Sequence, residues 1–234
     1  MTSLVYPPGY VEGCLPRVTE VGDICGRFSE DIETIPESQW PNYIAAGAVD
    51  LRPLVMDIKD QQRDGSCGCE SITQADQMTG QAQGGEFVKL SPLSIYHFTH
   101  STRNGGGSNL DRNLEHLLEF GVCTEDFWPR SRGWRKSPPA GWQENAAQHK
   151  IDEFFDVENI EDFGSALLKG FPVVFGWDGH SCVATSIKST REFEYANSWG
   201  ANWGDSGFGT LRFRDVNFGY GAFAVRSTTI LPTD

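Results

Sequence analysis

The chain has 234 residues, 38% apolar and 22% charged, enough for one sizeable core or two small subdomains sharing a cleft. A net charge of −13 argues against a nucleic-acid partner, which requires clustered basic surface, and reads as solubility rather than as a statement about substrate. No window approaches 18 consecutive apolar residues, which excludes a membrane-spanning helix.

The opening Met1-Thr2-Ser3-Leu4-Val5-Tyr6-Pro7-Pro8 has neither a basic head nor an apolar run, so the expected location is the cytoplasm, with association with a virus particle kept as the other option. Residues 1–34 read as an irregular acidic extension carrying Glu20, Asp23, Glu30, Asp31 and Glu33. Val5, Tyr6, Tyr10, Val11, Leu15 and Phe28 are its candidate anchors. Two roles fit it: a structural belt, which we favour, or a short pro-like segment that crosses and restrains a cleft. The main domain, 35–234, begins around Ile35-Pro36-Glu37-Ser38.

A first helix is expected from Cys67 to about Gly80, unusually polar for a central helix. Ser91-Pro92, a cap residue followed by proline, opens a second that carries Leu93, Tyr96 and His97. Over 109–120, Leu110, Leu114, Leu117 and Leu118 share one face and Gly121 supplies the stop. Ile160, Phe163, Leu167 and Leu168 do the same over 160–169, with Gly170 after them. The pattern then turns to strands at Phe171–Trp177, Ser181–Lys188, Glu192–Ala196 and Phe208–Phe213. Helices first and an antiparallel sheet later make an α+β protein, with its site in the cleft between the two halves.

Chemistry concentrates in two distant segments. Gln61 lies six residues before Cys67, and Gly179-His180 precedes Asn197-Ser198-Trp199-Gly200-Ala201-Asn202-Trp203-Gly204. A thiol at a helix N-terminus facing an imidazole becomes a reactive thiolate. Asn197 can orient that imidazole without adding charge, and Trp199 can shield the bond from water. Gln61 and the backbone N–H of Cys67 can receive the developing oxyanion. A histidine before a strand is usually structural, and Asn197-Ser198-Trp199 alone could be packing; the combination with Cys67 favours catalysis.

These residues resemble the papain-like (C1-type) cysteine peptidase family, over about residue 35 to the C-terminus. Ile35-Pro36-Glu37 is similar to the usual start of the mature domain, and Gly47-Ala48-Val49-Asp50-Leu51-Arg52 to an early segment. Asn197-Ser198-Trp199-Gly200 with Trp203-Gly204 and Gly207-Phe208 is the most specific match. The resemblance implies a papain-like fold of a helical and an antiparallel β subdomain, a peptide or protein substrate and no cofactor. Catalytic roles fall on Cys67, His180, Asn197 and Gln61. Asn104-Gly105-Gly106-Gly107 is similar to the glycine strip that pairs with substrate backbone, which makes Gly106 and Gly107 candidate substrate-binding residues; a flexible turn is the other reading.

The departures are specific. Asp64 stands where the family has a disulfide cysteine, Gly68 replaces a bulky ring, and Glu70 occupies a normally apolar position, as a buried paired acid or the mark of a reorganised helix. Pro172 lies eight positions before His180, and Trp177-Asp178-Gly179 reads as a tight link where relatives have a long excursion. His180 follows Cys67 by 113 residues, against the usual spacing of roughly 130–150. A more open groove is expected.

Cys69 is the competing nucleophile, but six residues before it stands Arg63 rather than glutamine. Gln62 is the competing oxyanion donor. Of the six cysteines, Cys14 and Cys25 are the only pair considered for a bridge; reduced thiols are favoured, and Cys123 and Cys182 read as core. Disulfide storage of Cys67 by Cys14 or Cys25 is a minor alternative. His97 and His100 have ligand-like spacing with nothing to complete a zinc site, so no metal is expected; His116 and His149 read as structural. The leading function is a thiol peptidase acting through a Cys67 acyl-enzyme with His180 as base. A Cys-His amidase or acyltransferase, or a non-catalytic papain-fold component of a larger assembly such as a virus particle, are the alternatives.

Overall fold

The computed structural model describes residues 4–102 and 105–226. Among them, in chain order, come β1 (Cys14–Leu15), β2 (Gly26–Arg27), α1 (Phe28–Asp31), α2 (Trp40–Ala45), α3 (Cys67–Ala82), α4 (Pro92–Thr99), β3 (Ser108–Asn109) and α5 (Leu110–Glu119). Then follow α6 (Trp142–Ala146), β4 (Glu153–Asp156), α7 (Ile160–Leu168), β5 (Val173–Trp177), β6 (His180–Ser189), β7 (Glu192–Ala196), β8 (Phe208–Arg212) and β9 (Ala222–Arg226). The fold is α+β. The four expected helices and four expected strands form within a few residues of their expected bounds.

Seven strands of the described residues make one sheet in the order β2-β4-β9-β5-β6-β7-β8, antiparallel except for the β2–β4 edge pair. Alternation along the strands splits the apolar residues between two faces. Val174, Val183, Phe223 and Val225 face the core shared with Ile72 of α3 and with Leu110, Leu114 and Leu117 of α5. Phe175, Phe193, Ala184 and Ala224 face the opposite core, filled by Trp40, Phe155, Phe163 and Phe213. A sheet buried on both faces needs helices on each: α3 and α5 cover one face, α2 and α7 the other.

α3 is the central helix, and every residue from Cys67 to Thr79 is buried. Several of its polar side chains are tied to neighbours: Ser71 Oγ to Ser181 Oγ (2.7 Å), Gln77 Nε2 to the Val88 carbonyl (2.7 Å), and Glu70 Oε1 accepting from Ser66 Oγ (2.9 Å). The link between β5 and β6 is the tight turn the sequence suggests. Asp178 (φ 48°) and Gly179 (φ 77°) both lie in the left-handed region, as a two-residue hairpin loop demands, and Trp177 pairs with His180 across it.

The extension divides in two. Residues 17–28 form a belt: Asp111 Oδ2 accepts from the backbone N–H groups of Val18 and Thr19, and Asp156 accepts from Arg17 and Gly22 N–H. β2 extends the main sheet and Phe28 is fully buried against Phe155 and Phe171. Residues 4–15 go elsewhere, over the site. Val5 and Val11, candidate anchors by composition, are exposed at 82% and 43%. All six cysteines are free, so Cys14 and Cys25 make no bridge. Among the described residues no helix is long and apolar enough to cross a membrane. Asn104 of the glycine strip and the segment beyond Arg226 lie outside the described residues.

Candidate active site

Cys67 is the first residue of α3, and the backbone N–H groups of Ser181 and Gly68 act on its sulfur in the direction that favours a thiolate. Full burial outweighs them and pushes the thiol up to about 12. His180 heads β6, one residue before that Ser181. Its Nε2 lies 2.7 Å from Asn197 Oδ1; an amide oxygen only accepts, so Nε2 carries the proton and Nδ1 is left unpartnered. Burial lowers His180 to about 4, opposed by the Asn197 bond. In this state thiol and imidazole are both neutral.

Asn197 Oδ1 also accepts from Ser198 N–H at 2.7 Å, which fixes the oxygen end of its amide. Trp199 stacks on the His180 ring with centroids 4.6 Å apart and planes at 29°, covering the His–Asn bond. Gln61 is held to the same segment: its N–H donates to Ser198 O (2.9 Å), and its Oε1 accepts from Ser198 Oγ (2.8 Å). Its Nε2 then donates to Asp64 O at 2.9 Å and reaches Val11 O at 3.4 Å. Gln62 is exposed in the left-handed region (φ 55°), turned out of the site. Cys69 lies inside the helical half, near Thr99 Oγ1 and Ser108 Oγ. Gln61, Cys67, His180 and Asn197 thus converge, while Cys69 and Gln62 do not.

Residues 4–15 cross this convergence. Leu4 N–H donates to Asp178 Oδ2 (2.8 Å), and the Tyr6 ring packs edge-on against His180 (5.8 Å) and tilted on Trp199 (5.3 Å). Tyr10 packs on Trp199 and donates to Asp60 Oδ1 at 2.8 Å. Gly13 and Cys14 N–H groups both donate to Gly179 O, and Ser108 N–H donates to Gly13 O. Gly13 is required here, because a Cβ would sit 2.5 Å from Gly65 O. Gly107 (φ 89°) abuts the Gly13 carbonyl from the other side, whereas Gly106 faces Thr102 and Ser101. The Gly107 end of the glycine strip therefore contacts chain backbone, here the protein's own.

A charged cluster stands behind the Gln61 loop. Arg130 binds Glu70 Oε1, lies 3.6 Å from Asp64 Oδ2 and reaches Gln61 O at 3.4 Å. Trp134 Nε1 donates to Asp64 Oδ1 at 3.0 Å. Sequence reasoning singled out Asp64 and Glu70 as anomalies but missed Arg130, which has no local signal at 60 residues' remove. His97 and His100 are each bound through Nδ1 to a carbonyl, of Trp134 and Tyr96 respectively.

Comparison with known proteins bears on the fold as a whole. No family model matches the chain. It is 24% identical to an uncharacterized peptidase C1-like protein of Acanthamoeba polyphaga mimivirus, over 74% of this chain and 71% of that one. It is 25% identical to the oryzain beta chain of Oryza sativa subsp. japonica (88% and 48%), and 24% to cathepsin K of Gallus gallus (70% and 58%). The fold superposes on xylellain, a cysteine protease from Xylella fastidiosa, with a TM-score of 0.73 at 20% identity, covering 97% of this chain and 100% of that one. It superposes on digestive procathepsin L 3 of Tenebrio molitor at 0.67 and 15% identity, covering 88% and 75%. The chain is similar in sequence to papain-like (C1-type) cysteine peptidases at low identity and shares their fold. It spans about half the length of the plant relative.

Proposed function

We propose that the protein is a thiol peptidase held latent by its own residues 4–15. The observation that carries this reading is His180 held at Nε2 by Asn197 under Trp199, with Nδ1 unpartnered beside the α3 start that bears Cys67. With the cleft open, His180 Nδ1 takes the Cys67 proton and the thiolate attacks the substrate carbonyl. Gln61 Nε2 and the Cys67 N–H receive the oxyanion. His180 then protonates the departing amine, leaving a thioester, and afterwards draws a proton from the water that hydrolyses it.

Three features support latency. Tyr6 covers His180, the Val11 carbonyl oxygen lies on the Gln61 amide, and the neutral thiol follows from burial. The test is labelling by a vinyl-sulfone peptide, followed by mass spectrometry, in the full chain and in Gly13→Ala, whose new methyl collides with Gly65 O. Gly13→Ala should be modified at Cys67 well above the full chain, and adding Cys67→Ala should abolish it. Modification that survives Cys67→Ala and vanishes in Cys69→Ala would falsify the assignment. A displaced, folded Gly13→Ala protein that never labels would remove the peptidase reading.

A further inference from the structure

Glu70 and Gln74 lie one turn apart on α3, facing β6. Between them and the sheet is a cavity of about 10 Å³, lined by Lys59, Glu70, Gln74, Asn197 and Ser198 among others. The residues carrying the polarity are almost wholly buried: Glu70 1%, Gln74 2% and Asn197 3% exposed. Four of their polar atoms have no hydrogen-bond partner: Glu70 Oε2, Gln74 Oε1, Gln74 Nε2 and Asn197 Nδ2. Each such atom is destabilising if left so. A space of this size admits one water molecule, and a buried water is retained when it finds about two to four polar partners.

The chemistry of the walls selects an occupant that both donates and accepts. Glu70 Oε1 is already engaged by Ser66 and Arg130, so Oε2 is the spare acceptor. Asn197 Nδ2 can only donate, because Oδ1 serves His180 and Ser198. A metal ion would meet that donor and the nearby Lys59 ammonium; an apolar group would meet four unpaired dipoles. Water alone satisfies both kinds of partner.

We propose that this cavity holds one ordered water joining Asn197 Nδ2 to Glu70 Oε2 and Gln74, so that Glu70 and Gln74 are positioning residues acting on His180 through Asn197. The proposal rests on the reading of His180 and Asn197 given above. An amide flipped by 180° would aim its NH₂ at the His180 Nε2–H; an acceptor held at the Nδ2 end keeps the oxygen on His180. Glu70, anomalous by sequence, thereby acquires a role that needs an acid facing a cavity rather than an apolar side chain.

The test uses NMR of the full chain, so that it works whether or not the protein is active. The Asn197 side-chain amide should show a cross-peak to a long-lived water. In Gln74→Met that cross-peak should vanish, and the His180 Nε2 proton should exchange with solvent about tenfold faster, at unchanged melting temperature. Gln74→Leu serves if the methionine variant does not fold. No water cross-peak in the parent, or His180 proton exchange unaltered in a folded Gln74 variant, overturns the proposal. Failure of vinyl-sulfone labelling would leave these readouts intact and would strike only the peptidase reading.

Discussion

Asp64 stands where the family pattern has a disulfide cysteine, and its surroundings are rebuilt with charge. Arg130 reaches Asp64, Glu70 and the Gln61 carbonyl together, so one guanidinium braces the loop that presents the Gln61 amide. Removing one partner of a buried pair strands the other charge, whereas removing both does not. Arg130→Met should therefore cost about 3 kcal/mol in denaturant unfolding, and Glu70→Leu with Arg130→Met should recover most of it. A single-variant cost near zero would show that the cluster braces nothing. Asp76 offers an independent check by pH. Desolvation raises it to about 7 from an ordinary 3.8, with Asp152 adding to the rise and Lys59 opposing it. A folded-state value above the unfolded one means stability is complete below about pH 4 and is lost as pH rises through 7. Asp76→Asn should thus raise the melting temperature at pH 8 and leave it almost unchanged at pH 4; a gain of equal size at both values would show that the burial of charge is not the cause.

At the scale of elements, what could be read from the sequence followed from how regular each pattern was. α5 shows four leucines on one face and a glycine stop, and the β5–β6 turn is Asp-Gly; both leave little choice to the chain. β4 carries no strand signal because Phe154-Phe155 sits between acids, and its partner β9 lies in a stretch with no clear alternation. The candidate site was legible because Gln61 six residues before Cys67, then His180, then Asn197 inside Asn197-Ser198-Trp199-Gly200 form a specific order and context. The cover was not, because residues 4–15 have no period: their hold depends on Tyr6 and Tyr10 meeting Trp199 and on two N–H groups meeting Gly179 O, contacts that only the folded partner reveals. One glycine makes the element testable. Gly13→Ala should raise the alkylation rate of Cys67 by iodoacetamide about tenfold or more, since a 1.4 kcal/mol clash already shifts an equilibrium tenfold. Belt contacts at Asp111 and Asp156 are untouched, so the melting temperature should change little. An unchanged rate would mean that residues 4–15 do not control access.

Across the whole molecule, cover and chemistry are coupled through protons. Burial holds His180 near 4 against an ordinary 6.5, and Cys67 near 12 against 9.0, in the covered state. Any group that titrates more easily when the cleft is open draws the cover away as it titrates. For His180 the covered-state value is depressed, so its contribution to keeping the segment docked is complete above pH 6.5 and is lost as pH falls through about 4. For the Cys67 thiol the covered-state value is raised, so docking is favoured below pH 9 and weakened towards 12. Residues 4–15 are then expected to sit most firmly at neutral pH and to release on the mild-acid side. The Gly13 and Cys14 amides, both bonded to Gly179 O, report this opening directly by hydrogen exchange. After correction for intrinsic rates, their protection should fall between pH 6.5 and 4, by at most about tenfold per pH unit for one proton. The carboxyl groups of Asp60 and Asp178 contact the segment and Glu12 belongs to it, so the comparison must be with His180→Gln. The difference between parent and variant isolates the imidazole; parallel profiles in the two proteins would show that the cover is indifferent to the charge on His180.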